Sequence, residues 1–185
     1  MTNISKSKPV SHSRTTITEL MIPSYANFGG KIHGGILLSL MDKVAYACAS
    51  KHAGTYVVTV SVDGVNFLQP IEVGELVSLH ASVNHVGRSS LVVGIRVVSE
   101  NVKTGETKHT NTSYFTMVAK DDSGKPTEVP ALVLESKEDI RRCLEALKRK
   151  QLKEAYKDSF DNEISALHLE EDLHLLKQER IIIQS

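Results

Sequence analysis

Residues 23–54 read PSYANFGGKIHGGILLSLMDKVAYACASKHAG, and the fold turns on them. The first part is a loop rich in Gly, Asn and Ser, residues that favour turns. From Gly35 the pattern changes to a run that is apolar on nearly every side, with Gly54 as a stop signal. That run is too long for an ordinary strand and predicts a helix. A helix apolar almost all round is predicted to be buried. Upstream, residues 15–22 (TTITELMI) are β-prone and end at Pro23. Downstream come four β-like runs. Residues 56–68 carry Val58, Val60 and Val62 on one face and Thr59 and Ser61 on the other, with a bulge or kink expected at Gly64. Residues 75–86 set Leu79, Ala81 and Val83 in step, and residues 89–99 do the same with Leu91, Val93, Ile95 and Val97. Residues 107–120 form the last long strand. Short links imply antiparallel neighbours. The expected fold class is α+β, a long central helix wrapped by an antiparallel five-stranded sheet. Such a sheet has exposed edges, and a second copy is the simplest cover.

The chain has 185 residues, with Lys+Arg and Asp+Glu both at 22. A zero balance argues against a nucleic-acid binder. There is no run of about 18 apolar residues for a membrane span, and the polar N-terminus lacks the apolar stretch of a secretory signal. Cys48 and Cys143 fall on separate predicted helices, so no disulfide framework is expected and a cytoplasmic location fits best. Residues 1–14 are expected to be a flexible tail, 15–131 the domain, and 132–185 a charged helical extension. In that extension Ser136 is a suitable N-cap, and Ile140, Leu144 and Leu147 fall at helical spacing.

Asp42 is the sharpest chemical signal, an acid set among Ile, Leu, Met, Val and Ala. A buried carboxylate needs a partner, and perturbed acids cluster at functional sites. Gly34 and Gly35 open the helix, where unpaired amides and the positive end of the dipole suit a polarised carbonyl or an oxyanion. His33 precedes them and reads first as a loop hydrogen-bonding residue. Asn27 could orient water or a carbonyl, although Asn is also common in loops for its own turn chemistry. Gly87-Arg88-Ser89-Ser90 is a turn with a cation and two hydroxyls, suited to a phosphate or a pantetheine amide and equally to a plain hairpin. His80 and His85 are five apart on a strand and are expected on opposite faces. No His or Cys pair has zinc spacing, and no Gly-x-Ser-x-Gly elbow, Walker loop or dinucleotide fingerprint is present. Cys48 reads as core rather than nucleophile.

The stretch PSYANFGGKIHGGILLSLMDKVAYACAS resembles the leading loop and central helix of hotdog-fold acyl-CoA thioesterases of the acyl-CoA hydrolase type. The likeness continues through VTVSVDGVNFLQPIEVGELV, VGRSS and TSYFTMVAKDDSGKP, covering about residues 15–131. The joint pattern Asn-x-x-Gly-x-x-x-Gly-Gly followed by Met-Asp carries its specificity. The resemblance implies hydrolysis of fatty acyl-CoA to free acid and CoA, with coenzyme A as part of substrate and product and no other cofactor. It implies homodimers assembling as a trimer of dimers, without nucleic-acid partners or membrane insertion. It makes Asp42 the catalytic base or nucleophile of one subunit and brings Asn27 from the other. His33, Gly34 and Gly35 would bind the thioester carbonyl, and Thr59, Ser61, Arg88, Ser89 and Ser90 would line the CoA path. Two other readings stay open at this point: a hydratase or dehydratase acting on acyl thioesters, and a non-catalytic acyl-CoA-binding assembly protein.

Overall fold

In the computed structural model, which describes residues 7–184, β1 (Ser7–Pro9) and a single helical turn, α1 (Val10–Ser13), lead into β2 (Thr15–Leu20). The glycine-rich loop delivers α2 (Gly34–Ala53). There follow β3 (Tyr56–Val62), β4 (Leu76–Val86), β5 (Ser90–Glu100), β6 (Thr107–Lys120) and β7 (Ala131–Val133). The helices α3 (Lys137–Ser165) and α4 (Leu169–Asp172) complete the elements, with a 3₁₀ stretch over Leu173–Gln178. One antiparallel sheet runs in the order β2-β4-β5-β6-β3, and β1 pairs in parallel with β7. The expected helix wrapped by a five-stranded sheet is what forms. Among the described residues no helix is long and apolar enough to cross a membrane.

The alternation read from β4 and β5 is the core. Leu79, Val83, Leu91, Val93, Ile95 and Val97 are all buried, facing Met41, Val44, Ala45, Cys48 and Ala49 of α2. Gly54 ends α2 in a left-handed conformation at φ 74°, its N–H donating to the Ser50 carbonyl, a backbone position that suits glycine. Burial pushes the Cys48 thiol up to about 12, so it stays a protonated core residue and not a nucleophile.

Several expectations need correcting. The helix α2 is not buried all round: Leu38, Asp42 and Tyr46, four apart, form an exposed stripe. On β3 the inward residues are Val57 and Thr59, opposite Ala119 and Met117. The expected Val58–Val60–Val62 face therefore fails. The bulge sits at Val60, not Gly64, and returns Val62 to the inner side opposite Phe115. The strand also stops at Val62, and no helix or strand forms from there to β4. A second bulge, between Val83 and His85, cancels the parity that would have separated His80 from His85. His80 pairs with Arg96 and His85 with Val92, both out of step with the core pairs Leu79–Val97 and Val86–Leu91, so both imidazoles lie on the outer face.

The expected tail is structured from Ser7; its first six residues lie outside the described residues. Val10 and Ser13 are buried, and the Ser13 hydroxyl accepts from the Val83 amide. This N-terminal piece is tied to the start of the C-terminal extension. Besides the β1–β7 pair, Glu135 accepts from the Ser11 amide and Arg14 meets the buried Asp139 at 3.3 Å. Ser136 caps α3 as expected, its Oγ accepting from the Asp139 amide while donating to the Asp139 carboxylate. The chain divides after Ala146 into two compact units, so this part of the extension belongs with the sheet. The second unit is helical, with Tyr156 and Phe160 stacked at 5.9 Å.

His52, near the end of α2, is fully buried, with Nε2 on the Pro130 carbonyl and, among the described residues, no partner for Nδ1. Burial holds its pKa below the ordinary histidine value, about 6.5. The folded state therefore binds the proton less readily than the unfolded chain. Its stabilising contribution is complete above about pH 6.5 and is lost as the pH falls through the lower, folded-state value. The urea midpoint should drop between pH 7 and pH 5. In His52→Gln that drop should shrink; an unchanged drop would discount His52 as its source.

Candidate active site

Asp42 sits midway along the exposed stripe of α2, where Thr59 of β3 reaches it. The Thr59 hydroxyl donates to Asp42 Oδ1 at 2.6 Å. It lies 3.3 Å from Met117 Sδ as well, which fixes its rotamer from the other side. Asp42 Oδ2 has no protein partner among the described residues. The pair can meet because the β3 register turns Thr59 inward. Asp42 opens onto a cavity of about 480 Å³ walled by Leu38, Val62, Val65, Phe67 and Phe115, with Asp63 and Gly64 at its margin. One carboxylate oxygen is thus held and the other free, beside an apolar volume.

The start of α2 differs from the expected trio of carbonyl ligands. His33 is the N-cap, and its Nδ1 accepts from the Gly35 amide at 2.9 Å. That places the ring proton on Nε2. The Ile36 amide is taken by the His33 carbonyl. Gly34 keeps an amide without a partner among the described residues, and three atoms at the tip of the Phe67 ring lie 3.1–3.5 Å from where a Cβ on Gly34 would stand.

Asn27 is exposed on a tightly built loop. Its Oδ1 accepts from the amides of Gly29 (2.9 Å) and Lys31 (3.2 Å), and the Lys31–Glu72 ion pair pins the loop's far side. The side-chain carbonyl is therefore engaged, and the Nδ2 amide is the group presented outward. Phe28 next to it is fully exposed. Neither residue lines the Asp42 cavity of its own chain.

The Gly87–Ser90 turn is a plain hairpin locally, with the Gly87 amide donating to the Ser90 carbonyl at 2.8 Å. Arg88, Ser89 and Ser90 do not line the Asp42 cavity, and Ser61 is half-buried on β3. Among the described residues no three His, Cys, Asp or Glu side chains are placed to hold a metal ion. The Thr59–Asp42 bond is what sequence reading missed. The two are 17 residues apart on different elements, and only the β3 register, set by edge pairing, could have signalled it.

Residues 29–106 match the profile of the thioesterase superfamily. Protein VdlD of Helicobacter pylori is 48% identical over 141 residues, which is 76% of this chain and 80% of that protein. In structure the chain is similar to an apo-hexameric acyl-CoA thioesterase, with TM-score 0.80 and 41% identity over 82% of this chain and 97% of that one. It is similar also to the acyl-CoA hydrolase of Staphylococcus aureus in complex with butyryl coenzyme A, coenzyme A and coenzyme A disulfide. There the TM-score is 0.77 with 31% identity over 86% of this chain and 97% of that one. The same hydrolase has been solved as alanine variants of an aspartate, an asparagine and a threonine. In its own count each stands one position beyond Asp42, Asn27 and Thr59 of this chain.

Proposed function

The chain belongs to the thioesterase superfamily, among its acyl-CoA hydrolases, and from that premise we propose that it hydrolyses fatty acyl-CoA at Asp42 with Asn27 supplied by a second copy. The observation that carries the reading is the Asp42 carboxylate, oriented by Thr59 and facing an apolar cavity large enough for part of an acyl chain. Oδ2 takes a proton from water, and the oxygen adds to the thioester carbonyl. The carbon–sulfur bond then breaks, and the proton held by Asp42 passes to the departing thiolate. Direct attack by Oδ2 uses the same geometry: the carbon–sulfur bond breaks, CoA leaves as the thiolate, and water later opens the resulting anhydride to the free acid and the Asp42 carboxylate. The Gly34 amide and the Asn27 Nδ2 amide are the donors for the oxyanion. Arg88, Ser89, Ser90 and Ser61 remain candidates for the CoA path.

The second copy is supported by apolar surface a lone protomer leaves open. Leu38 and Tyr46 flank Asp42, and Val60 and Val62 lie exposed on the unpaired edge strand β3. Pairing along that edge would cover both. Further assembly into a trimer of dimers is part of the proposal, in keeping with the hexameric relative, as is a cytoplasmic setting for the free thiols Cys48 and Cys143. A hydratase would need a base beyond the carbonyl, and the nearest candidate by sequence, His33, has Nδ1 committed to the helix cap.

The test is CoA release from saturated acyl-CoA measured beside hydration of an enoyl-CoA. Release without hydration is expected; hydration without release would overturn the reading. Thr59→Val should keep the fold and lower kcat/KM by roughly 10- to 100-fold, the worth of one hydrogen bond to a charged group. An unaltered kcat/KM would remove Thr59 from the site.

A further inference from the structure

Phe67 stands between two apolar cavities. One is the cavity of about 480 Å³ that holds Asp42. The other, about 330 Å³, lies on the far side of the ring, lined by Ile32, Leu37, Leu68, Pro70 and Ile71 with Gly34 at its rim. Among the described residues Phe67 alone lines both. Its ring tip rests on Gly34, and a side chain there would meet ring carbons at 3.1 Å. The ring thus packs against the first residue of α2.

Half of the surface of Phe67 is exposed (52%), it lies outside the buried core, and it sits in the irregular stretch after β3. A half-exposed ring outside the core can change rotamer without opening the core. Swinging the ring away from Gly34 would open the second cavity to the first.

We propose that Phe67 is the residue that decides acyl chain length, acting as a movable partition between the Asp42 cavity and the apolar cavity at the start of α2. With the ring against Gly34, short chains are held in the Asp42 cavity alone. Long chains use both cavities and need the ring moved. This rests on the hydrolase reading of Asp42 and adds to it the acyl range of the site.

The experiment compares wild type, Phe67→Ala and Phe67→Trp on butyryl-CoA and hexadecanoyl-CoA. Removing the ring joins the cavities, and the ratio of kcat/KM for the long over the short substrate should rise by roughly tenfold or more, the scale on which apolar pockets discriminate chain length. The Trp variant should move the ratio the other way. The same ratio is read from binding of thioether analogues that cannot be hydrolysed, so it is measurable whatever the fate of the hydrolase reading. Ratios within threefold of wild type in both variants overturn the partition, as does equal loss on both substrates in a folded Phe67→Ala. Asp42-dependent CoA release alongside an unmoved ratio leaves the hydrolase standing and discards the partition.

Discussion

Asp42→Ala should lower kcat by about 10²–10⁴-fold, the usual contribution of a positioned acid–base group, while the protein stays folded. The second half of that expectation follows from exposure. Asp42 is exposed on α2 in the protomer, its one hydrogen-bond partner among the described residues is Thr59, and no buried charge is stranded when it is removed. Alanine is also a better helix former than aspartate. Loss of turnover with an unchanged melting profile therefore reports on chemistry. Turnover within tenfold of wild type would mean that the carboxylate is bystander to the reaction.

Asn27→Asp should lose activity on a similar scale, about 10²–10³-fold in kcat, the effect of deleting one oxyanion donor. Aspartate is chosen over alanine because of how the loop is built. Asn27 Oδ1 accepts from the Gly29 and Lys31 amides, and an aspartate oxygen can keep both bonds. What is lost is the outward Nδ2 donor, replaced by an acceptor that repels an oxyanion. Asn27→Ala would remove loop support and donor together and would not separate them. Full activity in Asn27→Asp would show that Asn27 matters only to its own loop.

Much of the fold could be read from the chain because β4 and β5 lie in the middle of the sheet. Their inner faces are apolar from Val77 to Val83 and from Leu91 to Val97, with Ser99 the polar residue that follows, so period-two alternation is clean. β3 misled for the opposite reason. As an edge strand it carries valines on surface exposed in the protomer, while its inner face spends a position on Thr59, beside the acid. The same logic hid the two-sided character of α2. Leu38 is as apolar as Leu37, and Tyr46 is largely apolar, so the helix reads as wholly buried, although one stripe is open in the protomer. Asp42, Asn27 and the glycine pair were legible as residue types in a pattern. The division of labour at the helix start was not. Histidine is outside the usual N-cap set of Ser, Thr, Asp and Asn, so the capture of the Gly35 amide by His33 could not be inferred. Nor could the β1–β7 pairing, which joins segments 124 residues apart through contacts that leave no periodic trace.

The central claim is a site shared between two copies, and mixing two crippled variants tests it. Asp42→Ala and Asn27→Asp are unfolded together and refolded so that protomers reassort. A mixed pair then holds one site with both residues intact and one with neither. Half the pairs are mixed, so activity should return to about a quarter of the wild-type level per protomer, far above either variant alone. If Asp42 and Asn27 serve the same protomer's site, no mixed pair contains a whole site, and activity that stays at the sum of the two parents would contradict the account.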